Sequence, residues 1–491
     1  MKDLVFDLIH SLTPFEKAYV KKNCKKNAEG KIYLLLVFDA IAAQKEYDEQ
    51  AILKRFRKES FVKHFSVTKN HLIKYILKSI KNIQHDMNVQ DEMHLKIDEI
   101  TQLYYKRLFA HLSDYIIKAK KFAYEYELWL SLLEVIKLEL TLLNFREYDA
   151  NGINKINLVL KEQKDVLEIF SNEQTYLQLS NRQKSLLRQH FYIKDEQQRL
   201  THQDIINNTY LLNVENALSI GAKINYYFIH YYYAAINHNR EEAYSACLNS
   251  INMMDTYPIY MAENRMTQLA FYHNILYATY YLGKTKEMHQ YLEALKKICV
   301  TKSIETNAKS CYTDLFQIMY LRLSKQSDNT KSTINQLLKN FDTAIALYPF
   351  EFKMNIIMHC TMAAIEHNEF ILADNILHKG LKTLGNTFRE DMHIILKILQ
   401  IIIHIQKMEY DFVNYLHKEL SGFIQKSRTS TNFEKIFLSN VKEIVKAKTN
   451  SSLNTKPKIN IAKLIALEQD HKDEIDKDLF PFVIAFLETT S

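Results

Sequence analysis

The chain has 491 residues, 47% of them hydrophobic and 25% charged, with a formal net charge of +7. Seven glycines and five prolines stand where an average chain of this length carries roughly 60, which excludes a β-rich fold with its frequent turns, while the apolar content excludes a disordered chain. An all-α protein of two or more domains, or of one extended array, remains.

In chain order, Asp3 and Asp7 interrupt the first apolar stretch, unlike a secretory signal, and no later stretch holds 18 uninterrupted apolar residues. A cytoplasmic protein without membrane insertion is expected. The five cysteines, Cys24, Cys247, Cys299, Cys311 and Cys360, are widely separated and form no CxxC pair, so they read as reduced thiols.

Thr13-Pro14-Phe15-Glu16 offers an N-cap, a proline at the first helical position and a reciprocal glutamate, predicting a helix from Pro14 to about Cys24. A loop over Asn27 to Gly30, a second helix over Ile32 to Ala43, and a third capped by Asp48 and running through Arg57 follow. Ser66 or Thr68 starts a fourth. Its apolar stripe is read as Ile73, Ile76, Leu77, Ile80 and Ile83, opposite Asn70, Lys74, Lys78, Lys81 and His85.

The net charge belongs to this region. Residues 1–90 carry 17 Lys and Arg against 10 Asp and Glu, and the remaining 401 residues carry 47 of each. Lys54, Arg55, Arg57, Lys58, Lys63, Lys69, Asn70, Lys74, Lys78 and Lys81 therefore define a candidate face for nucleic acid or an acidic partner. The same cations read first as a solvated lysine face, because the eight residues between Arg57 and Ser66 exceed the corner of a helix-turn-helix.

Residues 91–221 read as long amphipathic helices, with Ser171 to Gln174 and Ser180 to Gln183 as capping boxes that mark helix starts. The aromatic stretch from Tyr226 to Tyr233 is apolar most of the way round a helix and reads as core packed on both sides. Beyond it a degraded periodicity emerges. Ala243, Cys247, Ser250 and Ile251 share their spacing with Ala373, Leu377, Gly380 and Leu381, while Tyr291, Ala294, Leu295 and Phe341, Ala344, Ile345 keep the last three places.

These segments resemble the second helix of the tetratricopeptide repeat, over about residues 222–425. The small residues Ser250, Ala294, Ala344 and Gly380 lie 44, 50 and 36 residues apart, mostly more than the roughly 34 of a regular array. The resemblance implies a right-handed α-solenoid of antiparallel helix hairpins whose first helices line a concave groove. It places Phe228, Tyr232, Tyr272, Leu276, Arg322, Gln326, Met358 and Met362 at groove positions. Among these Arg322 is the single cation, so an apolar, aromatic and methionine groove for a protein partner is implied rather than a clamp for a terminal carboxylate. The opening, with Ser11-Leu12-Thr13 before Glu16-Lys17 and with Phe65-Ser66-Val67-Thr68-Lys69-Asn70, is similar to that of uncharacterised bacterial helical proteins.

No GxGxxG, GxxxxGK[ST], HExxH, GxSxG or EF-hand loop occurs, and the histidines lack carboxylates in a metal-ligand pattern. No catalytic residue, cofactor or metal is expected. Residues 446–460 read as a linker and residues 461–491 as closing helices that cap the array. The expectation is thus a basic helical module (1–90), a long-helix region (91–221), tetratricopeptide-like repeats (222–445), a linker and a cap. Its expected role is that of a non-enzymatic scaffold or adaptor, with a nucleic-acid-associated regulator, on DNA, RNA or the ribosome, as the alternative.

Overall fold

The computed structural model describes residues 3–26, 32–83, 88–146, 150–189, 196–325, 327–339, 343, 348–384, 390–426, 432–449, 457–470 and 478–490. Among the described residues the chain is helical with no strand, and no helix is long and apolar enough to cross a membrane. It divides into two compact units, Met1–Asp98 and Glu99–Ser491.

The N-terminal unit holds α1 (Leu4–Ser11), α2 (Pro14–Lys26), α3 (Ile32–Ala42), α4 (Glu49–Arg55), a 3-10 turn at Ser60–His64, and α5 (Phe65–Ile83). The capping box forms as read, with the Thr13 amide donating to Glu16 Oε2 at 2.7 Å and the Glu16 amide to Thr13 Oγ1 at 3.3 Å. Asp48 caps α4 through the Ala51 amide at 3.0 Å, but α4 stops at Arg55 and not at Arg57. The stripe on α5 also differs. Its buried line is Phe65, Thr68, Leu72, Ile76 and Ser79, whereas Leu77 is exposed. Spacings of 3 and 4 residues fit either line; the packing of α1, α2 and α3 against α5 selects this one.

The helix α6 (Val89–Tyr105) is followed by α7 (Phe109–Glu125), α8 (Trp129–Arg146), α9 (Ala150–Gln189) and α10 (Glu196–Ile206). α9 overturns the expected helix starts at Ser171 and Ser180, since both lie inside its 40 residues. A capping box acts only where the preceding chain leaves the helix, and nothing here breaks it. Ser180 and Gln183 are buried instead, with the Gln183 amide meeting His202 Nδ1 at 3.1 Å.

Next come α11 (Ile220–Ile236), α12 (Arg240–Thr256), α13 (Pro258–Glu263), α14 (Arg265–Tyr281), α15 (Thr285–Lys297), α16 (Ser303–Ser324) and α17 (Ser327–Lys339). The chain closes with α18 (Phe350–Glu366), α19 (Phe370–Leu384), α20 (Glu390–Gln406), α21 (Tyr410–Lys426), α22 (Asn432–Thr449), α23 (Ile461–Asp470) and α24 (Leu479–Thr490). α22 runs to Thr449, so residues 446–449 of the expected linker are helical. Of the repeat positions, Phe341, Ala344 and Ile345 lie outside the described residues.

Tight turns join α11 to α12, α14 to α15, α18 to α19 and α20 to α21, and Lys325 follows α16 directly. Among the described residues, each of these helix ends is followed by one residue with positive φ: His238, Gly283, Lys325, Asn368 and Met408, which lie 45, 42, 43 and 40 residues apart. The residue after the turn residue donates its amide to a carbonyl five residues back in four of them: Asn239 to Ala234, Lys284 to Thr279, Glu369 to Ala364 and Glu409 to His404, at 2.8–2.9 Å. This bond satisfies carbonyls that a helix end leaves open. With few glycines available, the left-handed position falls to ordinary residues at all but Gly283.

Each of these helices packs on its neighbours in sequence, and α14 also meets α16, α16 meets α18, and α18 meets α20. Gly380 permits a close approach between α18 and α19, since a Cβ there would sit 2.6 Å from Ile357 Cγ2. Among the described residues one hydrophobic cluster of this unit gathers side chains from Leu269 to Leu487.

Candidate functional site

The expected groove residues do not share one open surface. Phe228, Leu276, Met358 and Met362 are buried in the core, Gln326 lies outside the described residues, and Tyr232 and Tyr272 are half-buried. The physical reason is coverage. α18 is buried in an unbroken run from Ile356 to Ile365, whereas a helix facing an open groove keeps one stripe exposed.

Part of that cover is the C-terminal helix. Leu479, Phe480, Phe482, Val483, Phe486 and Leu487 of α24 are buried, at the spacing of one helix face. Asp478, just before it, accepts from Tyr281 Oη of α14 at 3.1 Å and faces His359 Nε2 of α18 at 3.8 Å. Phe480 packs on Phe433 of α22, ring centroids 5.7 Å apart. The start of the C-terminal helix is thus tied to α14, α18 and α22, which lie far from it in the chain.

Beside the outer face of α24 lies an open cavity of about 1090 Å³. Its rim comes from the turn after α11 and from the ends of α14, α16, α18 and α20; its remaining wall is α24, with Pro481, Phe482, Ala485 and Phe486. A linked polar group forms the floor. Arg322 of α16 donates from Nε to Glu366 Oε2 at 3.1 Å and from Nη2 to Glu366 Oε1 at 2.7 Å. Its Nη1 donates to His359 Nδ1 at 2.7 Å and to Tyr280 Oη at 3.3 Å. Burial, reinforced by the adjacent guanidinium, holds His359 well below the usual imidazole range, so the ring is neutral and its Nε2 carries the proton that faces Asp478. The Arg322 side chain is 9% exposed and Asp478 8%.

Of this floor, Arg322 alone stood among the expected site residues. Tyr280, Tyr281, Glu366 and Asp478 were missed, although a signal existed. Tyr280 and Arg322 each stand three residues before a turn residue, and Tyr281, Glu366 and the rim residue Gln406 stand two before one. Aligning the chain on its turns, and not on the small residues of the second helices, brings them into register.

In the N-terminal unit Lys54, Arg55, Arg57, Lys58, Lys63, Asn70, Lys74 and Lys78 are exposed. Lys69 is not part of that face. Its ammonium binds Asp3 and Glu49, each at 2.7 Å, and so ties α5 to the start of α1 and to α4. The side chain of Lys81 lies outside the described residues.

Two further groups carry unusual polarity. Glu127 and Glu173 converge on the first turn of α11, where the Ile220 amide donates to Glu127 Oε2 at 2.8 Å, and Ser219 Oγ and Trp129 Nε1 donate to Glu173 Oε2 at 2.6 and 3.2 Å. Burial raises the Glu127 carboxyl to about 7, against the pull of the Ile220 and Gly221 amides. His273, ringed by Tyr277, Tyr312, Phe316 and Phe352, is pushed down to about 4 by burial. Both groups are accounted for by helix capping and packing. Among the described residues no three His, Cys, Asp or Glu side chains gather as a metal would require.

No family model matches the chain, no curated protein matches its sequence, and no solved structure matches its fold.

Proposed function

We propose that the chain is a helical-repeat adaptor without catalytic activity, a tetratricopeptide-like α-solenoid that holds a segment of a protein partner in the cavity beside α24. The observation that carries this reading is the recurrence, from α11 onward, of a residue with positive φ after the first helix of each hairpin every 40–45 residues, with the first helices of successive hairpins packed together and their C-terminal ends gathered around one cavity. Helix hairpins stacked in this way commonly present extended binding surfaces. Aromatic walls with a few convergent polar groups favour recognition of a peptide segment. The four buried free cysteines suit a reducing compartment such as the cytoplasm.

The test fills the cavity from its exposed wall. Ala485 is exposed on α24, so Ala485→Trp occupies the cavity without disturbing the core. Affinity capture with the full-length chain and with this variant, read by mass spectrometry, is expected to show a protein held by the former and released by the latter. A set of retained proteins identical for both chains removes the reading.

The second reading, a nucleic-acid-associated regulator, is favoured by the exposed cations from Lys54 to Lys78. It requires binding to duplex DNA or structured RNA that weakens steeply with salt, with a salt slope shallower by about 2 in Lys74→Glu/Lys78→Glu. Absence of binding at low salt removes it.

A further inference from the structure

We infer that α5 lies in the major groove of duplex DNA and reads base edges there, while the cations before and along it contact the phosphates; this rests on the nucleic-acid reading and names its ligand and the helix that holds it. Three observations converge on it.

The first is unpaired charge. Between residues 54 and 78 eight Lys and Arg stand against the single acid Glu59. Lys69 is neutralised by Asp3 and Glu49. The other seven are exposed and form no ion pair among the described residues, so seven cations against one acid leave a surplus of six. Phosphates that replace the counterions of such a surface release them, which drives binding.

The second is the order of side chains on the exposed arc. Ser66, Val67, Asn70, His71, Lys74 and Lys78 share it at spacings of 3 and 4 residues, and α1, α2 and α3 pack against α5. α5 carries no acid. Asn70 and His71 make no side-chain hydrogen bond among the described residues, so their polar groups are open to a ligand. Asn pairs with the major-groove edge of adenine, and an exposed valine suits the methyl group of thymine. Cations bracket these uncharged residues: Arg57, Lys58 and Lys63 precede α5 in the chain, and Lys74 and Lys78 follow along it.

The third is a fixed mount. The Lys69 ion pairs set the rotation of α5 and so turn Asn70 and His71 outward. The segment before α5, longer than the corner of a helix-turn-helix, is itself ordered. Phe61 is buried in the 3-10 turn and stacks on Tyr33, ring centroids 5.9 Å apart, and Thr68 Oγ1 donates to the His64 carbonyl at 3.3 Å.

Shape selects the duplex. A helix about 10–12 Å across matches the roughly 12 Å major groove of B-form DNA, whereas the deep, narrow groove of an RNA duplex excludes it. Single strands need exposed aromatic rings to stack on, and Phe56, Phe61, Phe65 and Tyr75 are buried or half-buried.

The experiment selects duplexes from a randomised DNA library with the full-length chain. The enriched duplex is then titrated by fluorescence polarisation beside the same sequence as an RNA duplex and as single-stranded DNA. The DNA duplex is expected to bind at least about tenfold more tightly than either. Replacing its purines by 7-deazapurines removes the N7 acceptors of the major groove alone and should weaken binding about tenfold. Asn70→Ala/His71→Ala alters exposed side chains only. It should lower affinity for the enriched duplex about tenfold and leave that for a scrambled duplex unchanged, which also shows the fold intact.

A library without an enriched sequence, an RNA duplex or single strand bound as tightly as the DNA duplex, or indifference to 7-deazapurines overturns the inference. So does an unchanged preference in Asn70→Ala/His71→Ala. Each of these results leaves the nucleic-acid reading standing, whereas absence of binding to all three at low salt removes both.

Discussion

Lys69 in the N-terminal unit and Arg322 in the larger unit are both cations with acidic partners, yet they belong to opposite uses of charge. Around Lys69 the sequence places Lys63, Lys74 and Lys78, and all three are exposed; Lys69 is the one turned inward, to Asp3 and Glu49. Around Arg322 the partners come from two other helices, α14 and α18, and the network extends through His359 to Asp478 at the head of α24. The smaller unit keeps its surplus charge in water, where each residue costs little. The larger one, whose residues 99–491 carry 46 Lys and Arg against 44 Asp and Glu, commits a few ionic groups to its interior, where each depends on its partners.

That difference is open to measurement, and the widest gap comes first. Arg322→Met leaves Glu366 and the buried Asp478 without their cation and should cost about 3 kcal/mol, the lower end for a buried pair because Glu366 is partly exposed. Lys69→Met, at a side chain 18% exposed against 9% for Arg322, should cost about 1 kcal/mol. Lys74→Glu/Lys78→Glu should stay within about 0.5 kcal/mol. Urea unfolding of the three variants ranks them, and a larger loss at Lys69 than at Arg322 breaks the comparison.

A second buried group of the larger unit sharpens it through pH. Glu127 is raised to about 7 in the folded chain, above the ordinary 4.5, so the folded state holds a proton that the unfolded state has lost between those values. Stability from this group is therefore fully present below about pH 4.5 and falls as pH rises to about 7, by about 2 to 3 kcal/mol between pH 5 and pH 8. Glu127→Gln should flatten that part of the profile in denaturation at the two pH values, and an unchanged slope removes the assignment.

Smaller effects test the backbone of the same unit. Gly380→Ala drives a methyl group to within 2.6 Å of Ile357 Cγ2 and should lower stability by about 2 kcal/mol. Met408→Gly should raise it by about 1 kcal/mol, because Met408 sits at φ 60° with an exposed side chain. Thermal unfolding of both variants gives the signs, and a destabilising Met408→Gly contradicts the reading of that turn.

Much of the local structure was legible in the sequence. The capping box at Thr13 and Glu16 and the Asp48 cap are satisfied within a few residues, so composition and spacing suffice to place them. The boxes at Ser171 and Ser180 have the same spelling and do not cap, because the chain on either side stays helical through α9. The hairpin turns were illegible for a different reason. They depend on a backbone conformation that glycine advertises, and here His238, Lys325, Asn368 and Met408 adopt it without advertising it.

The sequence by itself determined the helical class, through the scarcity of glycine and proline, and the location of the net charge, because both are sums over local residues. The tertiary structure alone decided which apolar line of α5 faces inward, which expected groove residues are core, and that Arg322, Glu366, His359 and Asp478 meet. Those outcomes depend on contacts between helices far apart in the chain, as between Tyr281 and Asp478, 197 residues apart. Local spacing fixes the face on which a side chain stands, and only the packing of helices fixes what stands opposite it.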